Sequence, residues 1–378
     1  MSISKWLRTE GVFSGLDMLP DGYLTQLHNC ESNRLFASAS WYENYLLHIP
    51  EVDQIVSFIA LSSEGSRLVM PVIHKRNSAR GFKYVSVEGL ANYYSPYFEP
   101  MHDASESAVI PLMEEAFSTL LHSGTHWDLL KFSPLYKGGL VHMALVRVLQ
   151  NAKASWQEFF CFNNWYQGIT GSYGEYLKER PGRLRSTIKR RQRRLERTAG
   201  SRVEIITGGE RLEAGIQAYL EVYGRSWKDP ESHRGFIIDL IRLAAANGWL
   251  RLGVIWVAQK PIATQLWLVH ADTAYIYKLA HDERYRELSP GTLLTAVLMR
   301  RVIDEDQVKE VDFLTGDDAY KRDWMDGSRP MVGILVFNRH TVRGLALAAR
   351  HKLGRQLRRV IGNRQRRRLP EVLTDIPS

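Results

Sequence analysis

Residues 312 to 324 read DFLTGDDAYKRDW. An apolar strand end (Val311, Phe313, Leu314) runs into Thr315, Gly316, Asp317 and Asp318, and Tyr320, Lys321, Arg322 and Trp324 follow at once. Such a loop concentrates groups that move protons or hold anions. The same residues also suit a capped turn, with Asp317 or Asp318 as N-cap, Tyr320 and Trp324 as an i, i+4 packing pair and Lys321 in solvent. A second stretch, YKLAHDERYRELSPGTLL, ends a strand with Lys278, His281 and Asp282, any of which can serve as a base. It continues into Arg286, Ser289, Pro290, Gly291 and Thr292 at the start of a helix. A helix N-terminus after a short glycine-containing turn offers free N–H groups and a positive dipole end, the geometry that binds a pyrophosphate. Pro290 removes one of those donors. A third stretch, LRSTIKRRQRRLER, carries Arg185, Lys189, Arg190, Arg193, Arg194 and Arg197 around a narrow stripe of Leu184, Ile188 and Leu195. Repulsion among so many like charges favours an anionic ligand, and Arg191 falls on the apolar stripe, pointing inward. Gln265 sits within an apolar strand, and Trp227 and Lys228 follow a helix face.

The elements that must carry these groups are legible along the chain. FASASWYENYLLHI reads as a short helix capped by Ser38 or Ser40. QIVSFIAL and RLVMPVIHKR flank a turn as a strand pair, AVIPLMEEAFSTLLHSG is an amphipathic helix ending at Gly124, and THWDLLKFSPL is a buried strand closed by Pro134. In the second half two helical stretches precede three strands, WLRLGVIWVAQ, PIATQLWLVH and TAYIYKLAHD, joined by short turns as an antiparallel meander. A helix over SPGTLLTAVLMRRVIDE, with Ser289 as cap, then the strands KEVDFLT and MVGILVF, complete the order. Both halves place a strand pair before a helix and then a buried strand, so a duplicated fold is expected. From Thr341 to Pro370 the chain has no acid; Leu353, Leu357, Val360 and Ile361 share one helical side and Lys352, Arg355, Arg358 and Arg359 the other, the composition of an interfacial helix on anionic lipid.

Composition sets outer limits. The chain has 378 residues, enough for about two domains. Its 50 basic residues against 41 acidic ones give a formal charge of +9, which points to an anionic partner: nucleic acid, phosphorylated metabolite, coenzyme or acidic membrane face. Cys30 and Cys161 form no CxxC pair and no zinc-spaced cluster, so no metal and a reducing compartment are expected. The N-terminal MSISKWLRTEG lacks an apolar secretory core, and no apolar run approaches the roughly 18 residues that span a bilayer.

Taken together these stretches resemble the GNAT superfamily of acyltransferases, whose coenzyme A loop reads Arg/Gln-x-x-Gly-x-Gly/Ala; Arg286 and Gly291 match it and Ser289 replaces its first glycine. They resemble more closely the CelD-like (cellulose-biosynthesis-type) branch, related to the FemAB aminoacyltransferases. Besides the two late motifs, FASASWYENYL, LRSTIKRRQRRLE and QAYLEVYGRSWK are similar to that branch, over roughly residues 35 to 337. The resemblance implies an α/β (α+β) chain of two tandem GNAT-like domains, each a mixed, mostly antiparallel sheet flanked by helices. It places an N-terminal domain over 1–170 that is structural or acceptor-binding, a basic connecting helix over 171–200, an acyltransferase domain over 201–338 and a basic amphipathic tail over 339–378. It implies acyl transfer from acyl-CoA, acetyl-CoA above all, to an amine on an anionic nucleotide-sugar or envelope-polysaccharide precursor.

That reaction needs a base for the ammonium, a donor for the oxyanion and a proton for the leaving thiolate. Asp317, Asp318, Lys278, His281 and Asp282 are the candidates for the base, and Tyr320 for the acid. Arg286, Ser289, Pro290, Gly291 and Thr292 are the donor loop. Arg185, Lys189, Arg190, Arg191, Trp227, Gln265, Lys321 and Trp324 are the candidates for holding the acceptor. A cytoplasmic protein, with its tail at the inner membrane face, is expected. Two other classes compete. A tRNA-dependent aminoacyl ligase is disfavoured because the chain has no room for the coiled-coil insert such ligases often carry. A non-catalytic nucleic-acid binder is disfavoured because aromatic residues do not interleave the basic runs.

Overall fold

The structure, a computed structural model, describes residues 7–29, 35–49, 54–63, 65–79, 81–122 and 126–361. The first half runs β1 (Leu7–Phe13), α1 (Tyr23–Asn29), α2 (Ala39–His48), β2 (Ile55–Ser63), β3 (Ser66–Ala79), β4 (Phe82–Gly89), the short β5 (Met101–His102), α3 (Glu106–His122), β6 (Leu129–Tyr136), α4 (Leu140–Asn151) and β7 (Ser155–Gly168). Helices α5 (Tyr173–Glu179) and α6 (Gly182–Glu196) follow. The second half repeats the order: β8 (Arg202–Ile206), α7 (Leu212–Gly224), α8 (Arg234–Ala246), the meander β9 (Leu250–Val257), β10 (Lys260–His270) and β11 (Thr273–His281), then α9 (Pro290–Arg300), β12 (Glu310–Asp312), a 3-10 turn (Ala319–Asp323) and β13 (Gly327–Phe337). Helix α10 (Val342–Ile361) ends the described chain. This repeated order on a mixed sheet flanked by helices is the duplicated α/β architecture expected.

All strands join one sheet in the order β1-β2-β3-β4-β6-β13-β7-β12-β11-β10-β9-β8, with β5 on β3. The two halves exchange their last strands. β7, from the first half, pairs with β12 of the second, while β13, from the second, pairs with β6 of the first. β7 and β13 then lie antiparallel from Ser155↔Phe337 to Tyr166↔Gly327. Within each half one parallel pair opens early: β4 and β6 pair only over Ser86–Glu88 with Leu129–Lys131, and β11 and β12 only over Thr273–Tyr275 with Glu310–Asp312.

One core links the halves across one face of the sheet. Trp41 and Tyr42 of α2 and Phe58 of β2 pack with Tyr219 of α7 and Phe236 of α8. Asn44 donates to the Phe236 carbonyl (3.1 Å). The opposite face is covered by α3 and α4 in the first half and by α6 and α9 in the second.

Local expectations are met or corrected for local reasons. Ser38 caps α2, accepting from the Trp41 N–H (3.1 Å). Pro134 does not close β6, which continues to Tyr136, because its missing N–H falls at a register shift against β13. Ser289 does not cap α9 with its side chain; it sits in the left-handed region (φ 50°, ψ 51°), which turns the chain sharply into Pro290. Leu184, Ile188 and Leu195 are the buried stripe of α6. Among the described residues no helix is long and apolar enough to cross a membrane, and no group of three metal-ligating side chains occurs. Gly124, Cys30, Arg364 and residues 366–370 lie outside the described residues, as do the side chains from Arg355 onward.

Candidate active site

The opening between β11 and β12 organises the site. Beyond Tyr275 strand β11 is held only by β10, while the chain after Asp312 turns to β7, the Phe313 N–H donating to the Trp165 carbonyl (2.9 Å). The turn into α9 stands at the end of β11. Leu293 is the first residue there to donate back, to the Ser289 carbonyl (3.1 Å), so the first-turn N–H groups of Gly291 and Thr292 have no intrahelical acceptor. A Cβ at Gly291 would meet only His281 Nδ1, at 3.6 Å. Arg286 is exposed beside the turn. These residues fit a pyrophosphate-bearing donor with two N–H groups and one guanidinium.

Gln265 secures this turn from behind. Its amide nitrogen donates to the Gly291 carbonyl and to Thr295 Oγ1 (2.9 Å each), and its oxygen accepts from Trp267 Nε1 (2.8 Å). Both polar atoms are thus committed, so Gln265 holds the donor turn rather than an acceptor. Asp282 has a similar fate. Buried, it accepts from the Arg284 N–H (3.0 Å) and guanidinium (2.9 Å), caps the 283–288 turn, and is held below the usual carboxylate range by Arg284. A carboxylate so held is a poor base. His281 is half-buried, its ring 4.5 Å from that of the half-exposed Trp227, and burial lowers its pKa.

Lys278 is the unusual group. It is buried at the end of β11, with Nζ 3.4 Å from Glu231 Oε2. That is ion-pair distance, but neither atom has a well-aligned hydrogen bond. Nζ also lies 4.0 Å from the Tyr93 ring centre and 4.7 Å from that of Tyr94, and Tyr223 and Tyr277 stand further out. Tyr94 donates to the other Glu231 oxygen and accepts from the His233 N–H (3.2 Å), while Tyr277 donates to the Tyr94 carbonyl (2.8 Å). Burial pushes the Lys278 pKa down to about 8; Glu231 opposes this shift and Lys228 adds to it. Half-buried Lys228 is itself lowered by burial and feels both Glu231 and Asp318.

The loop that opened the sequence analysis divides into parts. Lys321 is buried, and its ammonium donates to the carbonyls of Thr315 (2.6 Å), Gly316 (3.1 Å) and Phe313 (3.3 Å). It therefore shapes the loop, and no donor remains for an acceptor molecule. Trp324 packs in the core beside α5, and its carbonyl accepts from Tyr176 OH (2.8 Å) and Arg180 (3.1 Å). It is not a pocket wall. Asp317 faces β7, accepting from Trp165 Nε1 (2.6 Å) and Asn163 (3.2 Å), which lower its pKa. Asp318 stays exposed, 3.7 Å from Lys321 Nζ. Tyr320 lies edge-on to Phe313 at 5.7 Å; the residue is still 43% exposed, so the desolvation that with Asp318 raises its pKa is partial, and the phenol is protonated at neutral pH. Beneath the loop, buried Asp312 accepts from Asn164 (2.6 Å), the Leu314 N–H (2.5 Å) and Arg329 (2.8 Å).

Helix α6 ties both loops together. Arg194 pairs with Glu287 of the donor turn (3.2 Å), and Arg183 with Asp323 of the 3-10 turn (2.5 Å). Arg185, Lys189 and Arg190 are exposed with no ion pair among the described residues. Arg191 is half-buried, and its Nε has no hydrogen-bond partner. The sequence reading had Lys278, His281 and Trp227 but missed Glu231, Tyr93 and Tyr94. The tyrosines carry no periodic signal, and Tyr94 sits 137 residues before Glu231.

Residues 182–322, which contain the donor turn, Lys278 and the 312–322 loop, match the family model of the acetyltransferase (GNAT) domain. The chain carries a GNAT acyltransferase domain. Among solved structures, the acyltransferase resembles FemX at 10% identity, over 84% of this chain and 95% of that one, with a TM-score of 0.55. It also resembles the C-terminal DUF2156 domain of a putative lysylphosphatidylglycerol synthetase from Agrobacterium fabrum at 13% identity, over 86% and 94%, with a TM-score of 0.50. A tandem GNAT protein from the clavulanic acid biosynthesis pathway matches at 10% identity, over 87% and 98%, with a TM-score of 0.44. No curated protein sequence matches the chain.

Proposed function

We propose that this acyltransferase moves an acyl group from acyl-CoA, acetyl-CoA in the simplest case, to an amine on an anionic acceptor of the nucleotide-sugar or envelope-polysaccharide-precursor class, in the cytoplasm. The observation that carries the reading is Lys278, buried beside Glu231 at the strand end next to the donor turn. The donor supplies an activated acyl group, with Arg286 and the N–H groups of Gly291 and Thr292 against its phosphates. Neutral Lys278 takes the proton of the acceptor ammonium, and Glu231 stabilises the cation that results. Tyr320, whose raised pKa keeps the phenol protonated, is the candidate to give a proton to the leaving thiolate. The positive charge of the chain and the free basic side chains of α6 support an anionic acceptor. The late motifs keep the resemblance to the CelD-like branch as the finer family assignment. A second reading, an aminoacyl-tRNA donor, draws on the unpaired Arg185, Lys189 and Arg190 of α6, whose Arg194 reaches the donor turn.

Thermal shift separates these readings. Saturating acetyl-CoA or a longer acyl-CoA should raise the melting midpoint, by the equivalent of about 2.7 kcal/mol at a hundredfold excess over Kd, and Gly291→Trp should abolish the rise. A rise with total tRNA alone moves the donor to the second reading. A rise with neither refutes both.

A further inference from the structure

Helix α10 carries its apolar residues on two opposite faces. One is the docking face: Gly344, Leu347, Ala348 and His351 lie against the sheet, where Leu347 is buried with Tyr84, Leu129, Leu335 and Phe337, and His351 is 5.3 Å from the Phe337 ring. The other points away from the protein. Counting roughly 100° per residue, Val342, Leu345, Ala346, Ala349 and Leu353 fall within an arc of about 100° centred opposite the docking face. All five are exposed, Val342 by 85%, Leu345 by 53% and Leu353 by 58%. A helix lying on a soluble domain ordinarily presents polar side chains there. Exposed Arg343 and Arg350 border the arc on one side and exposed Lys352 on the other.

We propose that this outer face of α10 docks the protein on an anionic membrane surface, the apolar arc entering the headgroup boundary and the flanking cations meeting lipid phosphates. Charge decides the occupant. Between Asp326 and Glu371 the chain has no acid and twelve lysines and arginines. A protein partner would need a matching acidic, apolar-centred patch, and a second copy of this face would bring like charges together. An anionic bilayer offers both the apolar layer and the negative plane. The helix runs along the domain surface, held by its other face, so the attachment is peripheral.

The test is flotation of the full chain with phosphatidylcholine vesicles and with vesicles containing phosphatidylglycerol. Binding only to the anionic vesicles is expected. Both Leu345→Glu/Leu353→Glu and Arg343→Glu/Lys352→Glu should lower it by about tenfold or more, at an unchanged melting midpoint, since these side chains are exposed and outside the docking face. No binding to anionic vesicles overturns the proposal. So does binding that the leucine variant leaves intact, or self-association in light scattering that Leu345→Glu abolishes while vesicles go unbound.

Discussion

The state of Lys278 can be examined without knowing the acceptor. With a pKa of about 8, about a quarter of Lys278 is neutral at pH 7.5, against about one part in a thousand at the ordinary value of 10.5, a gain of over two hundredfold in available base. The neighbours act in opposite directions: the Glu231 carboxylate favours the charged form and the Lys228 ammonium disfavours it. Glu231→Gln, which keeps an acceptor for Tyr94, should therefore move the titration to lower pH, and Lys228→Met to higher pH. Lysine Cε NMR titration, with the Lys278 signal assigned by its loss in Lys278→Met, reads this directly. Once an acceptor with a weakly basic amine is in hand, the alkaline-rising limb of kcat/KM should follow the same two displacements, and Lys278→Arg, charged throughout, should lose about 10²–10⁴-fold. An unshifted lysine signal, or displacements of the same sign in both variants, would refute the reasoning.

Three further outcomes follow from packing. Lys321→Met should destabilise the domain by about 2–3 kcal/mol in urea unfolding, because the Phe313, Thr315 and Gly316 carbonyls lose a charged donor; unchanged stability would return Lys321 to the acceptor site. Gly253→Ala should cost about 1–3 kcal/mol and weaken the acyl-CoA thermal shift, since its Cβ would meet Leu294 at 2.8 Å and Leu298 at 2.9 Å and push α9 from the sheet. Asp312→Ala should cost about 1–3 kcal/mol, because it removes a buried acceptor of the Leu314 N–H and of one Asn164 amide hydrogen, while the half-exposed Arg329 keeps Glu310.

Much of the framework is readable locally. The meander of β9 to β11, the start of α9 at Pro290 and the buried stripe of α6 follow from apolar period and turn residues, which report one element's own inner face. The turn into α9 was legible for the same reason: Ser289, Pro290 and Gly291 shape its backbone locally. Side-chain roles fared differently. Lys321 and Trp324 looked functional because a charged or large aromatic residue in a loop is normally at the surface, yet the 3-10 turn folds both inward.

The sequence alone therefore determined the duplicated order of elements, the place of the turn into α9 and the candidacy of Lys278, since each rests on neighbours within a few residues. Only the tertiary structure decided that β7 and β13 change places, because strand pairing is a choice between edges far apart in the chain. It also decided that Tyr93 and Tyr94 close around Lys278 with Glu231. The proton affinity of a buried amine is set by what surrounds it in space, and those groups arrive from separate parts of the chain.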